Sequence, residues 1–250
     1  MSNTPVSAKY KDICPDTVSR LYAEELSKRK NAKEAEKALK TALHQITGAF
    51  MTGDELKRAR KLLAGADEDA ALFETLKLHA STRERLEHID AFYDALLSPI
   101  APKTLLDLAC GLNPLYLGHR GYAVRRLDVS GGCVQLINDW ALRRGWDVSA
   151  QCRDLLCAPA LPETDAALMM KLLPVLEQQK KGAAMELLTS IPAPVLIVTF
   201  PLKTLGGRSV GMEKHYSDWF EQSAAQAFNI ERRDVLFGEL CYTVRRKAGD

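Results

Sequence analysis

From Pro102 onward the chain breaks into short apolar runs separated by longer amphipathic stretches, and few folds accommodate that alternation. Short runs bounded by turn residues read as strands, and helices between them give the βαβ rhythm of a mostly parallel sheet. The expected strands are 104–108, 123–127, 147–153, 165–170, 195–200, 230–236 and 240–245, with helices over 133–144, 177–190 and 216–228. Only Phe237-Gly238-Glu239 separates the last two runs. That is too short for a crossover helix, so they form an antiparallel hairpin at one edge. The expected fold is α/β, a Rossmann-like seven-stranded sheet. One run is irregular: Ala123-Val124-Arg125-Arg126-Leu127 puts two arginines where a central strand is apolar, so its boundary is shifted or they lie at its exposed end.

The first hundred residues show no strand-like alternation and read as helices. Pro15-Asp16-Thr17 starts one, and Thr52 with Glu55 three residues later has capping-box spacing. A second box, Ser81-Thr82-Arg83-Glu84, opens a helix carrying Leu86, Ile89, Phe92, Tyr93 and Leu96 until Ser98-Pro99 ends it. The expected division is a helical N-terminal domain over 1–78 and a sheet domain over 79–250. With 250 residues, 46% of them hydrophobic, the chain can bury a sizeable core. The polar start and the lack of any apolar run near membrane-span length make a cytoplasmic protein the expectation. Six scattered cysteines without a C-x-x-C pair read as reduced core thiols, and no Cys/His cluster calls for a metal. The net charge of +2 announces no nucleic-acid partner, but between Lys9 and Lys61 thirteen Lys/Arg face eight Asp/Glu.

In open α/β sheets ligands bind beyond the carboxyl ends of the strands. Three acids fall at such ends: Asp107, followed by a loop with Ala109 and Gly111; Asp128, 21 residues later; and Asp154. A carboxylate at about the spacing of Asp128 suits a ribose diol, and Asp154 or the Leu155 backbone then suits an adenine amine. Each acid could instead cap the turn that follows it. Asn113-Pro114 after Gly111 departs from G-x-G-x-x-G, leaving no glycine-rich helix start for a pyrophosphate. NAD is therefore the weaker reading. S-adenosylmethionine carries no phosphate and needs only a tight turn, so the whole reads as a class I methyltransferase.

Further motifs carry a resemblance: His79-Ala80-Ser81-Thr82-Arg83-Glu84-Arg85-Leu86, Cys110-Gly111-Leu112-Asn113-Pro114-Leu115, Lys171-Leu172-Leu173-Pro174 with Glu177, and Gly206-Gly207-Arg208 through Gly211-Met212-Glu213 to Tyr216 and Trp219-Phe220. In these the chain resembles the aminoglycoside-resistance 16S ribosomal RNA methyltransferases that modify N7 of guanine 1405. The resemblance implies a cofactor pocket of Phe50, His79, Ala80, Ser81, Thr82, Arg83, Glu84, Arg85, Ala109, Gly111, Asp128, Val129, Asp154, Leu155, Leu172 and Gln179, with Arg85 on the methionine carboxylate. It places Lys171, Glu177 and Arg208 near the target base, and makes the assembled 30S subunit the substrate. Lys28, Arg29, Lys30, Arg58 and Arg60 are the candidate phosphate contacts, or else solvated helix faces.

Guanine N7 offers a lone pair and has no proton to remove, so its methylation needs positioning and no general base. The absence of an obvious His or Cys nucleophile fits that chemistry. Two alternatives stay open: methylation of N1 of the neighbouring decoding-site adenine, and an idle RNA-binding module with a methyltransferase fold.

Overall fold

The structure, a computed structural model, describes residues 10–48, 50–65, 68–109, 111–202 and 211–247. Seven strands form one sheet: β1 (Thr104–Leu108), β2 (Ala123–Asp128), β3 (Val148–Cys152), β4 (Ala166–Met170), β5 (Val195–Pro201), β6 (Phe228–Leu236) and β7 (Glu239–Arg246), in the order β3-β2-β1-β4-β5-β7-β6. The first five are parallel, and β7 runs antiparallel between β5 and the edge strand β6. This is the expected sheet and hairpin. The hairpin turn is only Phe237 and Gly238, with φ of 47° and 83°. Two positive φ values give the turn a twist that matches the flanking strands.

Helices cover both faces, which is why β4 reads as an unbroken apolar run. Leu105, Ala166 and Leu168 pack with Phe92, Leu115 and Trp140 on one face. Leu106, Ala167 and Met169 pack with Leu176, Leu188 and Phe220 on the other. The N-terminal helices are α1 (Pro15–Lys28), α2 (Ala32–Leu43), α3 (Gly53–Leu63) and α4 (Glu68–Leu76), with a wider π turn at His44–Gly48. Tyr10, Val18, Leu21, Leu39 and Leu43 give α1 and α2 a small core of their own. Ala59, Leu72 and Leu76 of α3 and α4 instead join the core of the sheet. No helix among the described residues is long and apolar enough to cross a membrane.

The Thr52 capping box forms: Glu55 N donates to Thr52 Oγ1 at 3.2 Å and Thr52 N to Glu55 Oε2 at 2.6 Å. The box expected at Ser81 does not. That segment is one turn, α5 (Ala80–Arg83), then a 3-10 turn at Leu86–His88, then α6 (Ile89–Leu97). Ser81 lies inside α5 with its hydroxyl 3.0 Å from His79 Nδ1, and the helical path breaks where Arg85 turns inward. Helix α7 (Asn113–His119) was not anticipated, because residues 113–118 are all buried and leave no polar face to mark a period.

Helix α8 (Gly131–Arg144) runs from a Ser130 cap to a left-handed Gly145. The single helix expected over 177–190 is two, α9 (Leu173–Gln179) and α10 (Ala183–Ser190), parted by Gly182 at φ 85°. Helix α11 (Met212–Ala224) stops short of 228 because Phe228 buries itself as the first residue of β6. Cys14, Cys133 and Cys241 are buried free thiols and Cys152 is half-buried, but Cys157 is exposed, so it is no core residue. Cys110 lies outside the described residues.

Candidate active site

The floor of the site explains the irregular strand. β1 and β2 align Asp107 with Arg126, and Arg126 is buried in the strand, not at an exposed end. Its Nη2 donates to Asp128 Oδ2 at 2.5 Å and its Nε lies 3.9 Å from Asp107 Oδ1. Buried charges persist only when paired, and here one guanidinium serves two acids. Arg125 points the other way and pairs with Asp147 at 2.8 Å. Asp107 is the penultimate residue of β1, whereas Asp128 closes β2 and accepts Ser130 N at 2.7 Å on its second oxygen. Asp154 lies two residues past β3.

Above this floor the chain doubles back. Ala109 takes φ 55° with its N–H on Leu127 O, and Gly111 takes φ 69°. A Cβ on Gly111 would sit 2.4 Å from the His79 ring, so the backbone here is pressed flat against an imidazole. His79 stacks on Phe50, centroids 6.0 Å apart, and Ala80 N donates to Phe50 O. Thr82 Oγ1 accepts Leu112 N at 3.3 Å and ties the 79–85 block to the loop. Burial first, then the positive charges of Arg126, Arg85 and Arg83, push the His79 pKa down to about 3. The ring is therefore a neutral wall. Arg83 is exposed and reaches Lys77 O.

On the far side the Asp154 carboxylate is 3% exposed. Its Oδ1 accepts Leu156 N at 2.9 Å, beside Leu155 at the start of a 3-10 turn. Its Oδ2 accepts from Arg20, a residue of α1 that also donates to Gln179 Oε1 at 3.0 Å. Val129 O accepts Cys14 N at 2.8 Å, so the N-terminal segment lies along this rim.

At the ends of β4, β5 and β7 sits a second charged cluster. Lys171 has φ 58°, a strained conformation for a residue with a Cβ, and its Nζ lies 2.5 Å from Glu84 Oε2 and 3.3 Å from Glu239 Oε1. Arg85 is buried and donates through Nε and Nη2 to both Glu239 oxygens, at 2.6 and 2.9 Å. Thr199 adds a hydroxyl to Glu239 at 2.7 Å. These cations and the hydroxyl hold the Glu239 carboxyl below its usual range even though burial opposes this. Leu172 is buried as the residue before α9. Glu177 is committed elsewhere: its two oxygens accept Gly182 N and Ala184 N, each at 2.9 Å, and so cap α10.

Ala109, Gly111, Asp128, Val129 and the His79 block thus meet at the ends of β1 and β2, while Lys171, Glu84 and Arg85 meet at β4 to β7. Arg208, with Gly206 and Gly207, lies outside the described residues. Lys28, Arg29 and Lys30 sit at the exposed α1–α2 corner, where Lys28 and Arg29 face Glu24 and Glu25. Arg58 and Arg60 are exposed on α3, with Arg60 bonded to Gln135. Arg20, Arg126 and Glu239 were missed. The charged pair in β2 was the available signal for Arg126. Arg20 and Glu239 gave none, because their partners are 134 and 154 residues away in sequence. Among the described residues no three His, Cys, Asp or Glu side chains are placed to hold a metal ion.

Residues 6–243 match the family model described as ribosomal RNA methyltransferase (FmrO). The chain is 42% identical over 241 residues to a 16S rRNA (guanine(1405)-N(7))-methyltransferase of Serratia marcescens, covering 96% of this chain and 94% of that one. It is 34% identical to the enzyme of the same description from Micromonospora echinospora, covering 96% and 93%. Among solved structures it is similar to the 16S rRNA methyltransferase RmtF in complex with S-adenosyl-L-homocysteine, with a TM-score of 0.89 at 50% identity over 96% of this chain and 94% of that one.

Proposed function

Since the chain belongs to the family of 16S rRNA (guanine(1405)-N(7))-methyltransferases, we propose that it works on the assembled 30S subunit and so confers resistance to 4,6-disubstituted deoxystreptamine aminoglycosides. It is an S-adenosyl-L-methionine-dependent enzyme whose substrate is 16S rRNA and whose product is N7-methylated guanine 1405. A 16S rRNA substrate supports a cytoplasmic location. The observation that carries the site reading is the meeting of Asp128, the Gly111 turn and the His79 wall at the ends of β1 and β2.

These residues suit the cofactor. The Gly111 turn packs its bare backbone on the His79 ring beside the end of β1, and Asp128 offers a carboxylate that Arg126 and Ser130 hold in place. When bound, S-adenosyl-L-methionine supplies an electrophilic sulfonium methyl group. Asp128 would accept from the ribose hydroxyls, and Asp154 or the Leu155 backbone would take the adenine amine. Arg85, pre-oriented by Glu239, would hold the methionine carboxylate, and Phe50 with the neutral His79 would wall that end of the pocket. Lys171 and Arg208 are assigned to the target base, while Glu177 holds the turn between α9 and α10 by capping α10. No base is required, since guanine N7 loses no proton, and the rate comes from alignment.

Residues 1–78 form the docking region, with Lys28, Arg29, Lys30, Arg58 and Arg60 on rRNA phosphates, and 79–250 carry out methyl transfer. Primer extension on rRNA from treated 30S subunits tests the target. A stop at guanine 1405 that needs prior reductive cleavage is expected, and a direct stop at the neighbouring adenine would overturn it. Parallel reactions on 30S and on naked 16S rRNA test the substrate form; equal rates would refute the subunit requirement. Cells expressing the enzyme should resist gentamicin and remain sensitive to apramycin.

A further inference from the structure

We infer that Arg20, on helix α1, is a positioning residue for the adenosine end of the cofactor pocket, acting through Asp154 and Gln179. This rests on the reading of Asp154 as a cofactor ligand. Nε and Nη2 of Arg20 each lie 2.9 Å from Asp154 Oδ2, and Nη2 also donates to Gln179 Oε1 at 3.0 Å. Nη1 reaches Glu24 Oε1 at 3.3 Å, so the fork is held on its own helix as well. One guanidinium thereby joins α1, the loop after β3 and the end of α9.

The neighbouring residues repeat the pattern at the other acid. Ile13 bridges Ser130, Cys14 N donates to Val129 O at 2.8 Å, and Gly131 N donates to Asp12 O at 2.7 Å. Gly131 is a glycine for a physical reason, since a Cβ would meet Asp12 O at 2.6 Å. Residues 12–20 therefore strap both loops that follow Asp128 and Asp154. A carboxylate as buried as Asp154 keeps its direction only while each oxygen has a partner. Leu156 N serves one oxygen and Arg20 the other. Without Arg20 the carboxylate relaxes toward water and its aim at the pocket is lost. Lysine keeps the charge but, as a single ammonium, matches the fork poorly.

The test measures S-adenosyl-L-homocysteine affinity by calorimetry, and KM for S-adenosyl-L-methionine against kcat on 30S subunits. The variants are R20A, R20K, R20Q, D154N and the double variant R20A/D154N. R20A is expected to weaken binding and raise KM by about tenfold, the effect of leaving one buried acceptor unmet, with kcat at saturating cofactor retained. R20K should fall between R20A and the parent. R20A should add little once D154N is present. If R20A and R20K bind like the parent while D154N does not, Arg20 is only a tether and the inference fails. An equal loss from R20A in both backgrounds also overturns it, since Arg20 would then act independently of Asp154. Should D154N itself bind normally, the reading of Asp154 is what fails. If R20A does not fold, R20K against R20Q decides, with equal affinities counting against the inference.

Discussion

His79 is an imidazole that stays neutral because burial and three nearby arginines hold its pKa at about 3. Its folded value lies below the unfolded value of 6.5, so the unfolded chain takes up the proton first. The stability that neutral His79 contributes is complete above that value and declines as pH falls from 6.5 toward 3, at about 1.4 kcal/mol per pH unit. Glu239 acts in the same direction but lower: its depressed pKa makes its contribution fade only below the ordinary value of 4.5. Urea unfolding above pH 5 therefore isolates the imidazole, and H79N, which keeps a polar partner for Ser81, should flatten that slope. An unchanged slope would mean that another group titrates there. Gly111 is the second test at this scale. G111A faces both a left-handed φ and a contact of 2.4 Å with the His79 ring, and should lose about 2 kcal/mol or more. Cofactor binding should weaken with it, measured by unfolding and calorimetry on the same sample.

Helix α10 depends on a residue outside itself. Gly182 leaves it without a side-chain cap, and the Glu177 carboxylate, reaching back from α9, supplies acceptors for Gly182 N and Ala184 N. E177A should destabilise the protein by about 1–2 kcal/mol, as loss of a capping residue does, and E177Q by less because one acceptor remains. Denaturant midpoints check this. Equal midpoints for all three proteins would show that the cap carries no energy. The left-handed Gly182 ends the path of α9 and lets α10 start in a new direction, where a continuous helix over 177–190 offered no such turn.

For the molecule as a whole, the basic residues proposed to meet rRNA stand on helices with different attachments. Lys28, Arg29 and Lys30 belong to the α1–α2 corner with its own small core, and Arg58 and Arg60 to α3, part of the sheet's core. Reversing these charges should slow 30S methylation and make it less sensitive to salt, with the slope falling by about one unit or slightly less per phosphate contact removed. Affinity for S-adenosyl-L-homocysteine should stay unchanged, which separates docking from cofactor binding. If the salt dependence stays as it was, these side chains are solvated faces and docking lies elsewhere.

The strand count, the edge hairpin, the Thr52 cap and the acids Asp107, Asp128 and Asp154 were legible in the chain alone. Each is written by neighbours in sequence: an apolar run, a short turn, a three-residue cap spacing, an acid near the end of a run. The family motifs likewise lie within contiguous blocks. What only the tertiary structure decided involves charge and full burial. Arg126 looked misplaced until its two acids stood beside it, and α7 lost its period because it is wrapped on every side. The partners that hold Arg85 and Asp154 were decided only by the fold: Glu239 against Arg85, and Arg20 crossing from α1 to Asp154. A buried charge is tolerated only beside its partner, and those partners lie far apart along the chain, so the sheet had to form before they could be recognised.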